Sequence, residues 1–183
     1  MAIYTTEDGL IFSAEDNTSL IVGVMPNLIT DRSEADTVAI RSLETAIKSG
    51  AATEEQVLEY LNAHQKGAYT YEDLNRVELA VAYMVGRLWE YSYPIPVVMH
   101  TDWVVTDKPN EQDFARYFDN VARIRALIPM LATTPEAPTS VSGFDVYKAN
   151  ALEQILLDAE RILNLMRDAW FNSGDLYLAE VQL

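Results

Sequence analysis

The chain has 183 residues, 49% hydrophobic and 22% charged, the ordinary balance of a globular protein. That length buries a sizeable core without help from disulfides or metal, and the absence of cysteine excludes disulfides, thiolate catalysis and Cys-ligated metal centres. The net charge of −15, from 28 acidic and 13 basic residues, repels phosphate; Arg76, Arg87, Arg116, Arg123 and Arg125 are scattered, so neither nucleic acid nor an anionic membrane is an expected partner.

The N-terminus, Met1 to Asp8, has no basic stretch followed by an apolar run, so no signal peptide is expected there. Leu10-Ile11-Phe12 and Leu20 to Val24 are short β-rich runs separated by the polar stretch 13–19, which predicts a hairpin ended by Pro26. A lone hairpin is marginal in water, so it needs another strand, the helices or a partner chain. The expected division is a β-hairpin-like segment over 1–28 and a helical bundle over 29–183.

Helical patterns dominate from residue 31 onward. Asp31 or Ser33 caps a helix over about 33–48, with Val38, Ile40, Leu43 and Ile47 as its stripe and Gly50 as its stop. Thr53 to Gln56 is a capping box for a helix over about 53–64 that buries Val57, Leu58 and Leu61. Thr70 to Asp73 opens the next by the same logic. Leu74, Val77, Val81, Met84, Val85 and Leu88 follow at helical spacing, with Glu72, Asp73, Arg76, Arg87 and Glu90 mostly off the stripe. Pro94 and Pro96 end it, and the run from Val97 to Val105 reads as extended. Asn110 opens a helix over about 110–128, with Phe114, Tyr117, Phe118, Val121, Ile124 and Ile128 on one face. The Pro-, Thr- and Ser-rich stretch 133–143 reads as an extended surface linker. Ser142 or Asp145 then caps the longest helix, about 145–172, striped by Leu152, Ile155, Leu156, Ala159, Ile162, Leu163, Met166 and Trp170. Gly174 is expected to stop it, and Leu176 to Val181 alternate like a strand. The predicted fold is mainly α: an antiparallel bundle of about five helices with short strands at both termini. No apolar run reaches the roughly 20 residues that span a bilayer.

The residues offer little chemistry. No Walker loop, dinucleotide glycine pattern, nucleophile elbow or His-Glu-x-x-His helix is present. His64 lies at a helix end, where the dipole favours a cation. His100 stands beside Asp102, but a triad is identified by geometry, not proximity in sequence. The acidic pairs, among them Glu54/Glu55, Glu72/Asp73 and Asp158/Glu160, read as capping or solvated carboxylates. No catalytic residue, metal ligand or cofactor site is assigned. Trp103, Trp170, Phe171 and Tyr177 lie at element ends and are the candidate interface residues, since such rings are enriched where proteins meet.

Seven segments occur in an order that resembles one family: NLITDRSEAD over 27–36, KGAYTYEDLNRVE over 66–78, Thr101-Asp102-Trp103, RYFDNVARIRAL over 116–127, TTPEAP over 133–138, ANALEQILL over 149–157 and AWFNSGDLYLAE over 169–180. The chain is similar in this to small structural proteins encoded in tail modules of tailed phages and prophages, chiefly of Gram-positive gut bacteria. It departs from the family pattern at Phe118, where Y-L-x-N-V has leucine, and at Asp175, where glutamate stands in A-W-x-x-S-G-E. The resemblance covers 27–183 and implies a non-enzymatic tail protein of the virion, made in the host cytoplasm, whose partners are other tail proteins and copies of itself. It implies no cofactor, catalytic residue or membrane insertion. The alternative is a module of the tail that binds the host surface or carbohydrate.

Overall fold

In the computed structural model, residues 3–5, 11–13, 25–62 and 66–180 are described; for 3–5, 11–13, 26, 62 and 170–180 the description is of backbone alone. Two three-residue strands, β1 (Ile3–Thr5) and β2 (Ile11–Ser13), pair antiparallel with Tyr4 opposite Phe12. The second run expected in the hairpin, Leu20 to Val24, lies outside the described residues. A short 3-10 turn, Met25–Asn27, leads into five α-helices: α1 (Glu34–Ser49), α2 (Glu54–Asn62), α3 (Tyr71–Glu90), α4 (Glu111–Leu127) and α5 (Val146–Glu180).

Each helix starts where a side chain can satisfy its open N–H groups. Ser33 with Asp36, Thr70 with Asp73, and Asn110 with Asp113 form reciprocal capping boxes. Thr53 and Gln56 do the same for α2, and the Asp145 carboxylate accepts from the Lys148 N–H at the head of α5. Gly50 closes α1 in the left-handed region, at φ 72°. Ser92 takes that role after α3, at φ 63°, while the Tyr93 N–H reaches back to the Leu88 carbonyl.

The core is built by α3, α4 and α5, which all pack on one another. Val77, Met84 and Leu88 of α3 meet Val121 and Ile124 of α4 and Leu152, Ile155, Leu156 and Leu163 of α5, all essentially without solvent exposure. Phe114, Phe118 and Phe144 continue this core toward the start of α5.

The expected antiparallel arrangement does not hold for α3 and α5, which run parallel. Arg76 pairs with Glu153, Tyr83 with Glu160 at 2.9 Å, and Arg87 with Asn164 at 3.1 Å, each pair 77 residues apart. The physical reason is the length of the intervening chain, residues 91–145, which carries α4 and two long connections and so returns the chain to its starting end before α5 begins. These polar pairs recur at helical spacing along one edge of the apolar seam and set its register.

The C-terminal strand is also overturned: the backbone stays helical through Gly174 to Glu180. Adding a residue to an existing helix is cheap, whereas a strand without a partner leaves its ladder groups open. One glycine weakens a helix by about 1 kcal/mol without ending it. Residues 97–105 carry no regular strand but cross the body as an extended strap, in which the Val98 carbonyl accepts from Asn120 and Arg116. In the linker, Thr134 is buried and donates its hydroxyl to Asp158, so that stretch is fastened to α5 rather than lying loosely on the surface.

Candidate functional site

The segment before α1 is fastened to the bundle by charge. The Arg32 side chain, 1% exposed, donates to Asp73 at 2.8 Å and to Glu153 at 2.7 Å, and both carboxylates are fully buried. Arg76 closes the node by pairing with the same two carboxylates. The second Glu153 oxygen accepts from the Ile29 N–H at 2.5 Å, and Asn150 exchanges two hydrogen bonds with the Arg32 backbone. Burial pushes the Asp73 carboxyl up, but the Thr70 N–H and the Arg76 and Arg32 guanidinium groups outweigh it and hold it below the usual range. Burial likewise acts against the charged Arg76, and Glu153 and Asp73 more than reverse this.

Tyr69 lies under the Arg32 guanidinium, 5.4 Å from ring centroid to Cζ, and its hydroxyl meets that of Tyr117 at 2.5 Å. Burial raises both phenols above their ordinary values.

Above this node lies a cleft of about 410 Å³. Its walls are the first half of α1 (Glu34, Val38, Arg41), the loop at Gly67 and Tyr69, and the entry to α5 at Phe144 and Tyr147. Gly67 makes the cleft this narrow: a Cβ there would sit 2.1 Å from the Asp36 carbonyl oxygen, so only glycine lets the loop close on α1. The polar groups of the cleft are largely engaged. Glu34 accepts from the Tyr147 hydroxyl, Lys66 pairs with Asp31 at 2.6 Å, and Asp145 is the α5 cap. Lys66 holds the Asp31 carboxyl below the usual range. The cleft therefore presents aromatic walls with the exposed Arg41 at its rim, an arrangement suited to receiving part of another molecule by contact.

A second polar cluster holds the strap. Fully buried Glu78 pairs with Arg116 at 2.7 Å, and Asn75 exchanges two 2.9 Å hydrogen bonds with the Trp103 backbone. His100 stacks on Trp103 with centroids 4.0 Å apart and lies 3.2 Å from Asp102, itself 74% exposed.

Of the candidate interface residues, Trp103 is 6% exposed and belongs to the core. Trp170, Phe171 and Tyr177 lie on the helical backbone of α5, but their side chains are outside the described residues, as is His64. Among the described residues, no group of three or more His, Asp or Glu is placed to hold a metal ion, and no helix is long and apolar enough to cross a membrane. In the pair Glu72/Asp73, Asp73 caps α3 as expected and is also fully buried; Asp158, read as capping or solvated, is instead 7% exposed and holds Thr134. Sequence reasoning missed the Arg32–Asp73–Arg76–Glu153 node. The available signal was two charges, Asp73 and Arg76, immediately beside the apolar stripe of α3.

No protein-family model matches the chain, and neither a curated protein nor a solved structure matches it at a significant level.

Proposed function

We propose that this protein is a non-enzymatic structural or adaptor subunit of a phage or prophage tail, whose work is to bind other tail proteins and copies of itself. One observation carries the reading. Helix α5 runs on to Glu180, well beyond Leu163, its last buried residue among those described. At 1.5 Å per residue α5 is roughly 50 Å long, against about 30 Å for α3. Leu165, Arg167, Asp168 and Ala169 are exposed. The helix then continues through Trp170, Phe171 and Tyr177, the residues already singled out as a candidate interface. A helix that runs on past the end of α3, the helix it packs along, suits a subunit that packs against neighbours. The ordered resemblance over 27–183 supplies the tail as the setting, and the virion as the location.

The alternative, a glycan- or host-surface-binding module, needs exposed rings on which a sugar can stack. Trp103 is buried and offers none, whereas Trp89 and Tyr147 are exposed, so that reading requires glycan binding that is lost in Trp89→Ala or Tyr147→Ala.

The test is light scattering of the purified protein together with capture of the products of neighbouring tail genes. Self-association or a stable complex is expected, weakened by Trp170→Ser with Tyr177→Ser. A strict monomer that captures none of those products refutes the proposal.

A further inference from the structure

The helices α1 and α2 contact each other, and among their described residues Ile40 alone is buried. Val57 and Tyr60 of α2 are half-buried, and the Tyr60 hydroxyl donates to Glu44 of α1. Elsewhere on α2, Leu58 is 52% exposed and Leu61 70%. On a helix Glu54, Leu58 and Leu61 fall on one stripe, and Glu55 lies one turn before Leu58, so two carboxylates lead into the leucines. Across the two helices the six acidic residues Glu34, Asp36, Glu44, Glu54, Glu55 and Glu59 outnumber the two basic ones, Arg41 and Lys48.

We infer that the α1–α2 hairpin docks a helix of another protein, one whose apolar stripe is flanked by lysine or arginine. Charge selects this occupant. A second copy would bring glutamates against glutamates on a chain already at −15, whereas a basic-flanked stripe covers the leucines and pairs with the carboxylates. The inference rests on the assembly reading only for the source of the partner, a neighbouring tail protein; the surface itself is argued from exposure and charge.

The experiment uses the full-length protein and three helical peptides: a leucine stripe flanked by lysines, the same stripe flanked by glutamates, and the lysine peptide with its leucines scrambled off the stripe. The lysine-flanked peptide is expected to bind and to slow amide exchange in α1 and α2. Binding should weaken by about tenfold in Leu58→Ser with Leu61→Ser, in Glu54→Lys with Glu55→Lys, and in high salt. The melting temperature should not change, since these positions are exposed. Equal binding of the scrambled or glutamate-flanked peptide overturns the inference, as does protection confined to other elements. So does a parent dimer that the two leucine changes turn into a monomer, because the occupant would then be a second copy. Capture of tail proteins that is equal in parent and variants overturns this surface and leaves the tail reading intact. Peptide binding as expected with no tail protein captured supports the surface and counts against the tail.

Discussion

Replacing Arg32 by methionine removes the charge at the centre of the buried node while retaining most of the side chain's apolar stem. The parent arginine is 1% exposed and makes charged hydrogen bonds to Asp73 and Glu153, plus a 2.7 Å bond to the Ile29 carbonyl. The variant leaves two fully buried carboxylates to share Arg76, itself 13% exposed, so one buried negative charge has no counter-ion. Breaking a buried pair in this way costs about 3–5 kcal/mol. That is a large part of the roughly 5–15 kcal/mol that holds a domain together. For a chain of this length it lowers the melting temperature by roughly 6–20 °C. Urea unfolding and calorimetry measure it directly. Adding Glu153→Gln to the variant restores neutrality, since Asp73 and Arg76 remain as a pair, and the glutamine oxygen can still accept from the Ile29 N–H. The double variant should therefore recover about 1–2 kcal/mol relative to Arg32→Met alone. A single variant within 1 kcal/mol of the parent, or a double variant no more stable than the single, refutes the account of this node.

Three further outcomes follow from the structure. Gly67→Ala should destabilise by about 2 kcal/mol in urea titration, because its Cβ would run into the Asp36 backbone rather than a movable side chain. Leu156→Asp, or Val81→Asp, places a charge among residues at most 1% exposed and should cost more than about 4 kcal/mol; circular dichroism showing the parent melting temperature would contradict the helix faces assigned here. Stability should fall above about pH 10, where the unfolded chain releases phenolic protons that the folded chain keeps on Tyr69 and Tyr117, whose values are raised. Tyr69→Phe should flatten that alkaline limb, and an unchanged slope in pH-dependent unfolding would dissociate the phenol pair from it.

The helices were legible because capping and periodicity act within a few residues. Thr53 to Gln56 and Thr70 to Asp73 announce their helices wherever the chain later goes, and the stripe from Leu74 to Leu88 is buried as its spacing demands. What stayed hidden depends on distant partners. Nothing near Arg32 says that it will meet Glu153, 121 residues away, and the parallel sense of α3 and α5 comes from the path of residues 91–145, which no local pattern encodes. Asp73 shows both cases: its capping role is written in the sequence, its burial is not. Trp103 was singled out for its aromatic ring and its place at an element end, yet the strap folds that ring into the core beneath His100. At the far end, the alternation of Leu176 to Val181 was too short to outweigh the helix already running into it.

The parallel pairing of α3 with α5 has a consequence for how the chain is made. The residues that fix it, Glu153, Glu160 and Asn164, leave the ribosome last among the pieces of the core. Until they emerge, the apolar stripe of α3 has only α4 to cover it, and the arginines that anchor the entry segment wait without Glu153. Contacts this distant in sequence form slowly. Packing of this core therefore waits for α5, and a chain interrupted before α5 would present Val77, Met84 and Leu88 as a surface open to aggregation.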